Sequence, residues 1–540
     1  MRFASISQEA GHRGSRRVEL WFWLVMAVAV LSSALPLMSA RWLPFVDYPQ
    51  HLGTIAAMVG QDELVWSHYF DVDIGRVQYL FFYLLAKLLA IPLGVEWGAR
   101  LALVLGLSPL PLAVAAFLRA HGRDPLPAAL SGIVTLNIFV FWGFVNYCMA
   151  FSWAILSLAA LANLIRRPDL RNCIAFGLLA LLCFYTHAQV YGWLALSSLI
   201  LVLASIRRVG LSAAALAGFR ALASSVPSVF GMLYWVYRSR LLDQGMAGLR
   251  GGSASALGGA QFASPLETLS ASMGHSFGIY QDGSGTHLAV AFGLATLGLV
   301  ALRIHERFFR LYGEELEATH GLGPEMILFF TCCCYFFLPE SYKLIAPINH
   351  RFLPLALALI PVLGPFRFFR WREHLIVGAL AMGLCTYAAL VHLSHFGETD
   401  REMGDLEEVL SHAEPGKALL GLIYDRGSRV TTVPSYLHSH QYYQSNIGGY
   451  AAFSFVEFPI SPLVYRRGVA PAPFPKRFEW TPRRFVERYA SYHGFFDYYL
   501  LRSRPNRPPP RFFPADEDSP PELIYRGERW SLYQKSASEK

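Results

Sequence analysis

From Leu20 to about Phe396 the chain alternates long apolar runs with short polar connectors, and beyond that point the rhythm stops. Apolar segments lie near 20–38, 77–93, 97–118, 126–142, 147–165, 172–185, 188–206, 219–237, 287–303, 324–338, 350–366 and 374–396. A helix needs about 20 apolar residues to cross the hydrocarbon layer, so the pattern predicts a mostly α polytopic bundle of about 11–13 spans. Residues 397–540 read instead as a mixed α/β soluble domain. "KALLGLIYD" (417–425), "DYYLLRS" (497–503), "ELIYRG" (522–527) and "WSLYQK" (530–535) are strand-like runs rich in β-branched and aromatic residues. "DLEEVLSHA" (405–413) and "PRRFVERYASY" (482–492) place apolar residues three and four apart, as helices do.

Charge assigns the sides. Arg166 and Arg167, Arg207 and Arg208, "RIHERFFR" (303–310) and "RFFRWR" (367–372) are basic connectors of the kind retained in the cytoplasm. They predict a cytoplasmic N-terminal tail (1–19), a polytopic region (20–396) with outer loops at 39–76 and 238–286, and an extracytoplasmic C-terminal domain (397–540). Twelve crossings from an inside start would finish inside. The segment 77–93 is therefore expected to lie along the surface or re-enter, leaving eleven crossings. The Gly/Ser-rich "GLRGGSASALGGAQ" in 238–286 is expected to be flexible, as a lid or as a slack connector.

Composition agrees with a membrane chain: 54% of residues are hydrophobic and 16% charged. The formal charge of +8 resides largely in the arginine connectors, which points to topology and away from nucleic acid. All seven cysteines lie in or beside apolar runs, so the soluble domain uses no disulfide. Adjacent Cys332, Cys333 and Cys334 point around a helix and read as packing, not as a zinc site. The soluble domain has no Gly-rich phosphate loop, C-x-x-C or H-E-x-x-H.

Candidate chemistry gathers on the outer side. In "FVDYPQHL", Asp47 and His51 are four residues apart, with a helix expected to begin near Pro49. Asp47 is then either the cap of a surface helix or a general base at the membrane boundary, steadied by the His51 imidazole. Asp71 and Asp73 are lesser candidates in the same loop. Other polar residues sit at outer ends of spans: Asn146 and Tyr147, then His187, then Glu340, Lys343, His350 and Arg351. Polar groups at membrane depth mark functional cavities, and Lys343 with Arg351 suits a phosphate. Glu96 and Arg100 read as a structural pair. In "YLHSHQYYQ", His438 and His440 alternate, so on a strand they would face one site together.

This layout resembles the GT-C superfamily of membrane glycosyltransferases, such as protein O-mannosyltransferases and the aminoarabinose transferase of lipid A. The likeness rests on an acidic residue, Asp47, just past the first span, on "HRFLPLALALIPVL" (350–363), and on "FDYYLL" with a closing "WSLYQK". The first loop has "DYPQH" where many members carry an acidic pair. The resemblance implies a polyisoprenyl-phosphate-linked sugar as donor and a lipid, glycan or protein as acceptor. It implies Asp47 as base, Arg351, Lys343 and His350 around the donor phosphate, and inversion at the anomeric carbon. Asn146, Tyr147, His187, Glu340, His438 and His440 would line the substrate cavity. A divalent cation could assist the phosphate, though no ligand set demands one. The alternatives are a lipid or solute transporter, which would carry polar residues mid-span, and a non-catalytic protein of glycan assembly.

Overall fold

The computed structural model describes residues 2–239, 259–310, 321–342, 346–366, 371–457, 461–469, 478–480 and 484–536, with side chains from 17 to 308 and from 321 onward except at 478. Six helices are long and apolar enough to cross a membrane: Arg17–Ser39, Val95–Ala120, Val145–Arg166, Ala188–Val209, Ser284–Phe308 and Trp371–Met403. Leu211–Ser224 and Val226–Arg238 make a seventh if taken as one span bent by 47°. Shorter apolar helices cover Phe81–Leu93, Leu126–Trp142, Leu170–Thr186, Gly323–Phe337 and Phe352–Leu363. The chain is a multi-pass integral membrane protein. Val145–Arg166 is its central helix, buried along nearly its whole length because Ala, Ser and Cys let neighbours approach on every side.

Two segments show how local sequence shapes the bundle. Leu126–Val134 winds as a 3₁₀ helix after Pro125, with Pro127 in its first turn, and Gly132 lies where a side chain would strike the Ala29 carbonyl of the first helix. Phe81–Leu93 turns at Gly94 (φ +81°) and packs so tightly on the next helix that Gly98 meets the Ala90 backbone. Its start is tied to the end of another span by Leu80 N–H donating to Tyr185 O (2.9 Å), and Lys87 reaches Gln61 of the first loop. Just beyond its end, Arg100 donates to the Leu37, Ala40 and Arg41 carbonyls that close the first helix and pairs with Glu96 at 2.6 Å. Both ends of Phe81–Leu93 therefore lie on the face that carries the first loop.

The C-terminal region holds a five-stranded mixed sheet of β4 (Lys417–Ile423), β5 (Gly449–Ala451), β7 (Tyr498–Arg502), β8 (Glu522–Arg526) and β9 (Trp530–Gln534) in the order β5-β4-β7-β9-β8. Strand β4 runs parallel to both neighbours, while β9 is antiparallel to β7 and β8. The expected strands appear within a residue or two. The last long helix continues to Met403, where Trp530 Nε1 donates to Met403 O (2.7 Å) and Arg502 to Glu402 O (2.9 Å). The sheet is thus fastened directly to a membrane helix.

The first loop is clasped by this region. Strand β1 (Phe70–Val72) pairs antiparallel with β6 (Leu463–Tyr465), and Asp400 accepts from the Arg41 and Trp42 amides. The helix Tyr48–Val59 is covered by the segment 439–446, with Gln444 donating to Gly53 O at 3.0 Å. The expectation of a surface helix here is corrected: all but one of its residues are buried, because a distant part of the chain lies over it. In the loop 238–286, the lid or connector expected at "GLRGGSASALGGAQ" falls mostly on 240–258, outside the described residues. Its described part is packed, with Ala260–Gln261 (β2) pairing with Ser341–Tyr342 (β3) and Gln281 N–H donating to Val430 O.

Candidate active site

Asp47 precedes the helix Tyr48–Val59, whose first turn contains Pro49, as expected. Its carboxylate makes no capping hydrogen bond to that helix. It turns instead toward the C-terminal region, where Oδ1 lies 3.0 Å from His438 Nδ1. Both side chains are mostly buried, at 18% and 10% exposure, so the pair sits in a partly desolvated setting where charge interactions gain strength. Asp47 is held from two sides. Val46 N–H donates to Phe141 O (2.9 Å), and Ser435 Oγ donates to Pro44 O (3.1 Å). Gly143, in a left-handed conformation at φ +93°, closes against Asp47; a Cβ there would overlap the Asp47 side chain and amide.

His51 is a support and not a partner of the carboxylate. Its Nε2 lies 3.1 Å from Gly143 O, which can only accept, so Nε2 carries the proton and Nδ1 accepts from Tyr83 Oη at 2.8 Å. Burial lowers its pKa below the ordinary value, keeping the ring neutral. Phe82 and Phe455 close its edges. The neutral ring thereby fixes Gly143, and Gly143 fixes Asp47. Asp71 and Asp73 are engaged elsewhere, with Arg466 (3.9 Å) and Arg238 (2.9 Å).

Immediately after Gly143 the same turn reaches Arg351. The guanidinium stands 4.4 Å over the Phe144 ring and 5.8 Å from Tyr147, whose hydroxyl donates to Arg351 O at 2.7 Å. His187 caps the helix Ala188–Val209 by accepting from Gln189 N–H, and its ring rests on Tyr79 and Tyr147, each 5.0 Å away. Arg351 and His187 open on a cavity of about 480 Å³ with Tyr79, Gln189, Trp193 and otherwise mainly apolar walls. Arg351 Nε is buried without a hydrogen-bond partner, as is Asn146 Oδ1 on the adjoining helix. Such groups are costly unless something polar completes them.

The remaining expected residues divide. His350 stacks on His275 at 3.6 Å, and Tyr335 Oη lies 2.9 Å from His275 Nδ1; neither histidine is among the residues lining the cavity beside Arg351. Glu340 uses its backbone to hold the loop, donating to Gln261 O and accepting from Ile348. Lys343 lies outside the described residues. His438 and His440 do not alternate on a strand. His438 begins a 3₁₀ turn, Ser439–Gln441, so the two rings diverge, 6.3 Å apart. His440 is fully buried, donates from Nε2 to Ala452 O (2.8 Å) and packs against Gly421. Burial pushes its pKa down to about 3, so it is a neutral core residue. Among the described residues no three His, Cys, Asp or Glu side chains converge as metal ligands. Sequence reasoning missed the Asp47–His438 contact and the role of Gly143. Only a glycine inside "FWGFVNY" hinted at a close approach.

The chain shares the fold of two solved ArnT structures, the fold that the resemblance read from the sequence implies. Superposition on the aminoarabinose transferase ArnT from Cupriavidus metallidurans in the apo state gives a TM-score of 0.52 at 14% identity, covering 98% of this chain and 99% of that one. The same enzyme bound to undecaprenyl phosphate gives 0.54 at 14% identity, covering 96% and 98%. The arabinofuranosyltransferase AftD from mycobacteria gives 0.46 at 14% identity, covering 96% of this chain and 40% of that one. No family model and no curated protein matches the sequence.

Proposed function

We propose that this protein is a glycosyltransferase that moves a sugar from a polyisoprenyl-phosphate donor to a lipid, glycan or protein acceptor, with inversion, on the extracytoplasmic face of a bacterial inner membrane. One observation carries the reading: Asp47 and Arg351 act on adjacent residues of a single turn, Gly143 and Phe144. The ArnT structure bound to undecaprenyl phosphate supports a lipid donor for this fold. The basic connectors at 166–167, 207–208, 303–310 and 367–372, of the kind retained in the cytoplasm, support the orientation.

In this mechanism the isoprenoid stays in the bilayer, and its phosphate meets Arg351 in the cavity beside His187. The unpartnered Nε of Arg351 supplies a donor there, giving the charge-assisted bonding that phosphates favour. The acceptor hydroxyl attacks the anomeric carbon as the bond to the phosphate oxygen breaks. Asp47 takes the hydroxyl proton, and polyisoprenyl phosphate departs with the bonding pair. His438, against Oδ1, orients the carboxylate. The phosphate is already a fair leaving group, so positioning and charge stabilisation are the main contributions required of the protein. A divalent cation is given no step, since no protein ligand set converges among the described residues.

The test uses purified full-length protein in lipid nanodiscs. Undecaprenyl phosphate binding, followed by native mass spectrometry, is expected to weaken about tenfold or more in Arg351→Ala, in keeping with loss of a charged hydrogen bond. Asp47→Asn should bind the lipid as the wild type does yet fail to transfer sugar in membranes charged with lipid-linked donors. Unchanged lipid binding in the first variant, or unchanged transfer in the second, defeats the reading.

A further inference from the structure

The turn that presents Gly143 to Asp47 and Phe144 to Arg351 begins with Trp142, and Trp142 touches the other half of the protein. Its indole lies 6.5 Å from that of Trp480, centroid to centroid, with the planes inclined by 31°. Trp480 belongs to the C-terminal region, in the 3₁₀ turn Phe478–Trp480. Its carbonyl accepts from Arg426 Nη1 at 2.8 Å, and the Arg426 guanidinium stands 5.3 Å from its ring. Both indoles are half-buried. A tryptophan at the end of a membrane helix ordinarily marks the lipid headgroup level. Trp142 differs, because the group it meets is a second tryptophan from the soluble region.

We infer that Trp142 and Trp480 form a stacking subsite for a sugar ring of the acceptor. The inference rests on the glycosyltransferase reading above and names the acceptor side of that same site. The C–H groups on one face of a pyranose carry partial positive charge and no hydroxyl bulk, which suits the negative face of an indole. Position decides whose sugar it is. Along the turn, Trp142 precedes and Phe144 follows the glycine that abuts Asp47. The cavity beside Arg351, assigned to the donor phosphate, adjoins Phe144 and Tyr147. Attack from the face opposite the phosphate brings the nucleophile from the Trp142 side. The acceptor is therefore itself a saccharide or a saccharide-bearing molecule, and not an unglycosylated protein.

The experiment is saturation-transfer-difference NMR on the full-length protein in nanodiscs, with the methyl glycopyranosides of glucose, mannose and galactose as probes and empty nanodiscs as the blank. The wild type is expected to saturate the ring C–H protons of at least one probe. Trp142→Ala and Trp480→Ala should lower that signal by roughly fivefold, the scale of one aromatic stacking contact, while Trp142→Phe retains most of it. Undecaprenyl phosphate binding, measured on the same samples, should be unaltered in every variant, which establishes that they are folded. Adding undecaprenyl phosphate should leave the saccharide signal in place. A wild-type signal no larger than the blank, or equal signals in the alanine variants, overturns the subsite. Displacement of the probe by undecaprenyl phosphate overturns its assignment to the acceptor. If the wild type binds saccharide but no undecaprenyl phosphate, the donor reading falls while the stacking site stands.

Discussion

Asp47 of the first loop and His438 of the C-terminal region approach to 3.0 Å, oxygen to nitrogen, although they come from opposite ends of the chain. The carboxylate thereby faces a side chain that no local motif connects to it. If Asp47 is the base, Asp47→Asn should lower the rate of sugar transfer by about 10²–10⁴, the usual contribution of a positioned base. His438→Gln should give a smaller fall, since the carboxylate survives without its partner. Initial rates in membranes, normalised to protein level, check both. A larger loss in His438→Gln than in Asp47→Asn would reverse the roles.

Gly143 gives a sharper probe of geometry. At φ +93° any side chain is strained, and a Cβ would occupy the space of Asp47. Gly143→Ala should therefore displace the carboxylate and cut transfer by about a hundredfold, as misplacement of a reacting group by about an ångström does. Undecaprenyl phosphate binding should change little, because Arg351 is held by Phe144 and Tyr147. Transfer at the wild-type rate would show that the Asp47 position is not needed for chemistry.

Arg100 is expected to act on stability alone. It is buried, pairs with Glu96 and donates to carbonyls at the end of the first helix, which have no partner within that helix. Glu96 is 37% exposed and can hydrate on its own, so Arg100→Met mainly strips the helix-end carbonyls of their donor and should cost about 1–3 kcal/mol, the range for leaving buried polar groups unsatisfied. Thermal unfolding of the purified protein would report it as a lowered midpoint. An unchanged midpoint would mean that the helix end is held by other contacts.

The core of the C-terminal region should be acid-sensitive through His440. Burial depresses its pKa from 6.5 to about 3, so between these values the unfolded chain binds a proton that the folded one does not. Stability is accordingly complete above pH 6.5 and declines as the pH falls below it, by linkage. Denaturant titrations between pH 7 and 4 should show that decline in the wild type, and His440→Gln should flatten it. A variant with the wild-type slope would place the acid sensitivity elsewhere.

Much of this protein was legible in one dimension. The apolar runs, the turnover to strand-like segments after the last span, and the Glu96–Arg100 pair follow from composition and from spacings of two to four residues. Local periodicity is imposed by burial in lipid or sheet, and it survives in a linear reading. The candidate site was legible only as a set of names. Asp47 and Arg351 were singled out, but His51 as a neutral prop, His438 as the partner of Asp47, and His440 as a core residue depend on contacts between segments hundreds of positions apart. A periodic pattern records which face of an element is covered, not what covers it. The first loop, the turn around Gly143 and the segment following His438 reach their buried positions only when the C-terminal region packs over the bundle and removes them from water.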